Sequence, residues 1–342
     1  SHHTAFPCTG CKCGKHYDPY WDPKKSSTSQ ILKCNRGPCV FSQAYTEGSS
    51  WKAFKVKDVM WMGGVDKEMI QRAEKWAFPF TFGCQSSETG LFRTQQVDGI
   101  MGMSASEDTF PYQLYRNNIT NTRAFSMCFK RGGGVLTLGG VDQSLHSTPM
   151  ELVASTKRSG WFTVKLLEIL MLDRHSNTTM KVEVSPARYN DAKGTIVDSG
   201  TTDTYLPASI KSAFTALFKK ISGIQYSNSP IAISHKHLHR LPDLIFRLEG
   251  LSGDPIDIVM PAKHYTDESS SKSGTKSGKG KNYNFRVYLT EDKGVVLGAN
   301  FMNGMNVFFD RDHLRMGFAR SSCDYEEIRE REREKEIQIT AN

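Results

Sequence analysis

No apolar run in the 342 residues reaches the roughly 18–20 that a membrane-spanning helix needs, and mean hydropathy is −0.46. Any membrane anchor would therefore have to lie outside this chain. The start, Ser1-His2-His3-Thr4, has no Met and no charged segment leading into an apolar one, so no signal peptide is visible. Also missing are a Gly-x-Ser-x-Gly elbow for a serine nucleophile and a Gly-rich phosphate loop. Those absences argue against serine-hydrolase and nucleotide chemistry, and no cofactor is expected. The net charge of +8 (pI near 9.0) is dispersed. Its densest stretch, Lys272 to Lys281, alternates Lys with Ser and Gly and has no aromatics on which bases would stack. Nucleic acid is not an expected partner. Acidic substrates or an anionic surface remain compatible with the charge.

The length and the 38% hydrophobic content suit two lobes rather than one core. Short runs of β-branched and aromatic residues alternate with Gly, Ser, Asn and Asp turns, which predicts an all-β chain. Examples are Phe78–Phe82, where Pro79 implies an edge, Gly134–Gly140, Trp161–Leu166 and Val307–Asp310. Few helices are predicted. One spans 208–221, where Ile210, Phe214, Leu217, Phe218 and Ile221 form an apolar stripe and Gly223 is the stop; its face is read as core. A shorter one starts near Pro111. Residues 266–282 are too poor in apolar groups to fold alone and read as a loop insert, and 324–342 read as a charged tail.

Cysteines stand at 8, 11, 13, 34, 39, 84, 128 and 323. Their even count predicts disulfides made in an oxidising compartment. Cys8-x-x-Cys11-x-Cys13 is also compact enough to begin a zinc knuckle. The sequons at Asn118 and Asn177 favour the disulfide reading and a secretory-pathway location.

The stretch with the most chemistry is Thr195-Ile196-Val197-Asp198-Ser199-Gly200-Thr201-Thr202-Asp203-Thr204-Tyr205-Leu206-Pro207. A β-branched strand delivers a carboxylate, Gly200 permits the tight turn beyond it, and Ser199 and Thr201 offer hydroxyls to orient it. Asp-Ser-Gly alone is a common turn. Preceded by an apolar strand and followed far downstream by Leu297-Gly298-Ala299-Asn300-Phe301, it is specific. A weak repeat reinforces the pattern: Asp98-Gly99-Ile100-Met101-Gly102 in the first half has its counterpart in Val295–Phe301.

These motifs resemble the pepsin-like aspartic proteases over about 1–323, closest in pattern to the plasmepsin V, nepenthesin and beta-secretase types. The resemblance implies a bilobal all-β fold with an N-terminal lobe at 1–147, a linker at 148–160 and a C-terminal lobe at 161–323. It implies hydrolysis of polypeptides by two aspartates sharing one proton and holding a water between them. Asp198 is the second of the pair, with Ser199, Gly200 and Thr201 in support. Ser1 matches the residue that follows Asp-Thr-Gly in the first active-site loop, so the first aspartate is expected immediately upstream of this chain, which on its own is expected to be inactive. Gln43–Ser50 resembles the substrate-closing flap, with Tyr45 as the contact and Gly48 in the turn. Ala53 and Phe54 stand where the family has a Gly, leaving the far strand open. Cys128 and Cys323 match cysteines that pair in beta-secretase-like members.

Two rival readings stand beside the enzyme: an inactive binding protein on the same fold, and a zinc-stabilised module using the N-terminal cysteines. His235, His237 and His239 alternate as strand residues would, which could align metal ligands on one face. A solvated or loop role is preferred for them, and no metal site is expected.

Overall fold

The computed structural model describes residues 21–35, 37–45, 47–61, 76–95, 97, 99–156, 160–269, 281–327 and 330. Ser1, Cys8, Cys11, Cys13, Asp98, most of the insert and most of the charged tail lie outside the described residues. Strands dominate, and the chain has the all-β architecture of pepsin-like aspartic proteases. It folds as two compact units, one of Ser1–Met103 with Asp108–Asn121, the other of Ser104–Glu107 with Thr122–Asn342. Among the described residues no helix is long and apolar enough to cross a membrane.

The first unit is built on the long strand Ser50–Met60, which pairs antiparallel with Gln30–Ile31, Val40–Ala44 and Phe78–Glu88. It is continuous through Ala53 and Phe54, so the far side of the flap-like hairpin is an ordinary strand, and Ala53 is fully buried. Phe78–Glu88 pairs only with Ser50–Met60 among the described residues, the edge position that Pro79 requires. Helix Phe110–Arg116 begins with Pro in its first turn and docks through Gln113. The Gln113 amide donates to the Thr81 carbonyl at 2.9 Å and accepts from the Thr81 N–H at 2.8 Å. Cys34 and Cys39 form a disulfide, and Cys84 has a free thiol that burial pushes up in pKa.

In the second unit, a five-stranded sheet carries Gly133–Leu138, Ala124–Lys130, Met305–Asp310, Arg315–Arg320 and Glu151–Ala154 in that order. Cys128 and Cys323 are joined there across 195 residues of sequence, and the bridge packs with Leu145 and Val135. Closing so long a loop is worth roughly 5 kcal/mol in the chain-entropy account. A second sheet runs Thr178–Lys181, Leu166–Asp173, Asp243–Glu249, Pro255–Met260. Helix Lys211–Ser222 buries Phe214, Phe218 and Ile221 and stops at Gly223, whose φ of 74° is the left-handed cap that glycine supplies. Asn118 and Asn177 are both exposed in turns, at positive φ.

Two expectations need correction. His235, His237 and His239 are not strand residues: His235–Leu238 is a single helical turn, because Ser234 caps it by accepting from the His237 N–H. The expected insert is shorter than 266–282. Thr266–Glu268 pairs with Lys281–Phe285, where the Lys281 ammonium donates to Glu268 at 2.8 Å and the buried Phe285 anchors the strand.

Candidate active site

Asp198 sits at the end of the buried strand Thr195–Val197. That strand lies between Thr163–Val164, antiparallel, and Val295–Leu297, parallel, so both its edges are paired; all three of its residues are buried, so both faces are covered and a β-branched run suits it. The Asp198 N–H donates to the Leu297 carbonyl at 2.9 Å, which extends the ladder to the carboxylate-bearing residue itself. Strand Thr204–Pro207 then returns along the other side of Val295–Leu297. The loop 198–203 is thereby pinned at both ends to one central strand.

Within that loop each carboxylate oxygen of Asp198 accepts one bond. The Gly200 N–H donates to Oδ1 at 2.9 Å and the Thr201 hydroxyl donates to Oδ2 at 2.7 Å. The plane of the carboxylate is therefore fixed by the loop's own residues, while Asp198 stays partly open to solvent. Ser199 has no side-chain hydrogen bond among the described residues. Gly200 thus contributes its amide as well as its turn.

The next layer was not visible in the motif. Residues Gly298 to Asn300 lie under the loop, with the Ala299 N–H donating to the Thr201 carbonyl at 2.7 Å and the Asn300 N–H to the Thr202 carbonyl at 3.0 Å. Gly298 is needed for this approach: a Cβ there would stand 2.2 Å from the Asp203 carbonyl oxygen and 2.5 Å from that of Thr201. Gly298→Ala is expected to lower stability by about 2 kcal/mol, because both obstructing atoms are backbone. Urea unfolding checks this, and an unchanged midpoint would show that the loop yields freely.

Asp203, 6% exposed, is held by Arg286, whose guanidinium meets its two oxygens at 3.0 and 2.7 Å. Burial pushes the Asp203 carboxyl up and Arg286 pulls it back, leaving it above the usual range. The Arg286 carbonyl accepts from the Asn300 side-chain amide at 2.8 Å, and Thr204 donates to the Asn300 oxygen at 2.8 Å. A polar frame therefore ties 203–204 to 286 and 300. The acidic residue inside the Asp-Ser-Gly-Thr-Thr-Asp run was the available signal for it; its partner, 83 residues on, was not.

In the first unit, Tyr45 lies at the tip of the hairpin formed by Val40–Ala44 and Ser50–Met60. Its hydroxyl accepts from the Trp51 indole N–H at 3.1 Å, and its ring meets Phe92 edge-on at 5.2 Å. Gly48 takes φ of 95° and donates its N–H to the Tyr45 carbonyl at 3.0 Å, closing the turn.

The model of the eukaryotic aspartyl protease family matches residues 3–321. Among curated proteins the chain is similar to aspartic protease 5 of Toxoplasma gondii, with 26% identity over 93% of this chain and 34% of that protein. It is similar to plasmepsin V of Plasmodium falciparum, with 30% identity over 40% of this chain and 25% of the relative. It is also similar to beta-secretase of Strongylocentrotus purpuratus, with 25% identity over 80% of this chain and 49% of the relative. The matched part is thus between a quarter and a half of each relative's length.

Proposed function

The chain belongs to the eukaryotic aspartyl protease family, and from that premise we propose that it is part of an aspartic-type endopeptidase in which Asp198 is one of two catalytic carboxylates. The observation that carries the reading is the fixed orientation of the Asp198 carboxylate, one oxygen bonded by the Gly200 N–H and the other by Thr201. A carboxylate so held can take a proton from a water along a set direction while that water attacks a peptide carbonyl. The partner carboxyl, protonated, donates to the carbonyl oxygen as the tetrahedral intermediate forms. Two carboxyls so close share one proton, which supplies the base and the acid together. The first carboxylate is proposed to lie just before Ser1, which matches the residue that follows Asp-Thr-Gly in the family's first active-site loop. The substrate is an extended polypeptide, and Tyr45 is proposed to touch it. The Cys34–Cys39 and Cys128–Cys323 disulfides fit the secretory pathway as the place of action.

Cleavage of a mixed peptide library, followed by mass spectrometry at acidic to neutral pH, tests the reading. A form extended upstream of Ser1 through an Asp-Thr-Gly strand is expected to cut peptides, and residues 1–342 alone are not. Saturable peptide binding by the extended form with no cleavage would replace the enzyme with a binding protein on the same fold.

A further inference from the structure

Away from Asp198, the second unit has a cleft of about 550 Å³ lined by Arg174, His175, Lys236, His239 and Arg240. Arg174 and His175 come from the turn after strand Leu166–Asp173; the other three come from the helical turn His235–Leu238 and the residues after it. All five lining side chains are basic, and none is acidic. Arg174 is anchored, with its guanidinium donating to the Leu241 carbonyl at 3.2 Å and lying 3.7 Å from Asp243. The side chains of His175, Lys236 and Arg240 have no ion-pair partner among the described residues. Asp173, the nearest acid in sequence, accepts from the His175 N–H at 2.9 Å and from the Ser176 hydroxyl at 2.8 Å, and its charge faces His175 rather than Lys236 or Arg240. The rings of His235 and His239 stand edge to face, with their Nε2 atoms 3.3 Å apart.

Arg174 has Asp243 at 3.7 Å, but Lys236 and Arg240 have no acid within ion-pair distance among the described residues, and like charges brought together in a concavity repel one another. An anion turns that repulsion into attraction. A planar guanidinium pairs well with the oxygens of a phosphate, and lysine adds a mobile point charge. The volume lies within the range of about 300–1,000 Å³ typical of small-molecule sites, too large for a lone oxyanion to fill. We propose that this cleft binds a ring-sized polyol carrying two or more phosphate monoesters. It is separate from peptide cleavage and does not rest on the protease reading.

Calorimetric titration of the chain with inositol 1,4,5-trisphosphate at fixed ionic strength tests the site, with inorganic phosphate as the comparison. The trisphosphate is expected to bind saturably and at least about 10-fold more tightly than inorganic phosphate. The double variant K236E/R240E is expected to lose at least about 10-fold in affinity with an unchanged melting temperature. K24E/K25E, which changes net charge equally at exposed lysines of the other unit, is expected to bind as the unaltered chain does. Vesicles with and without phosphatidylinositol 4,5-bisphosphate separate the sources. Vesicle capture that K236E/R240E abolishes supports a lipid headgroup, and binding of the soluble ester alone supports a soluble one. No saturable binding to either, or equal losses in the two charge-reversed variants, would overturn the proposal.

Discussion

Asp198→Asn, in a form extended upstream of Ser1, is expected to lower kcat for peptide cleavage by at least about 10³-fold, because removing one member of a concerted catalytic unit forfeits most of its rate enhancement. The substitution preserves shape. The Asn oxygen can still accept from the Gly200 N–H or from Thr201, the two donors that fix Asp198. Strand Thr195–Val197 is untouched, so the melting temperature should stay within about 1.5 °C, roughly the shift that a 1 kcal/mol change produces in a chain of this size. What the variant lacks is a base: an amide cannot take a proton from water. Thr201→Val keeps the carboxylate and removes one orienting bond, for an expected loss of about 10-fold, the kinetic equivalent of about 1.4 kcal/mol. Initial-rate measurements with circular dichroism melts on the three proteins check both steps. Full activity in Asp198→Asn would remove this residue from the chemistry.

Arg286→Met is expected to cost about 3 kcal/mol of stability at pH 7, the lower end for breaking a buried ion pair, since the Arg286 side chain is 28% exposed and partly solvated. Asp203 would be left ionised, almost fully buried and without its bidentate partner. Burial already pushes the Asp203 carboxyl above the ordinary range in spite of Arg286. Without Arg286 the folded-state pKa rises further above the unfolded one, so the folded form gains a preference for the protonated acid. The penalty is then present at pH values above the folded pKa and shrinks as pH falls through it. Urea unfolding at pH 7 and pH 4 should show a large deficit at the first and a smaller one at the second. Arg286→Lys, which keeps a charge but not the fork, should fall between. Equal deficits at both pH values would mean that Arg286 acts by packing rather than by its charge.

Local patterns carried the reading where a single stretch holds the whole signal. The strand Thr195–Val197 and the loop after it are legible because a β-branched run and a tight-turn glycine stand together in one stretch. Helix Lys211–Ser222 is legible because its stripe has the helical period and a glycine ends it. The strand-like alternation of the three histidines is not a strand, because three residues are too few to distinguish a strand from a helical turn and Ser234 decides for the turn. The polar strand Thr266–Glu268 has no apolar alternation of its own; it is strand because Lys281–Phe285 pairs with it. The clamp of Arg286 on Asp203 and the gathering of Arg174 with Arg240 join residues far apart in the chain. Such contacts exist only once the sheets have formed.

The claim beneath these expectations is that Asp198 works as one of two carboxyls sharing one proton, and the pH dependence of kcat/KM in the extended form tests it most directly. A shared proton predicts a bell: activity falls on the acid side when both carboxyls are protonated and on the alkaline side when both are ionised. A rate that rises from acid pH to a plateau, with no alkaline limb, would mean a lone carboxylate base and would contradict the two-carboxylate account.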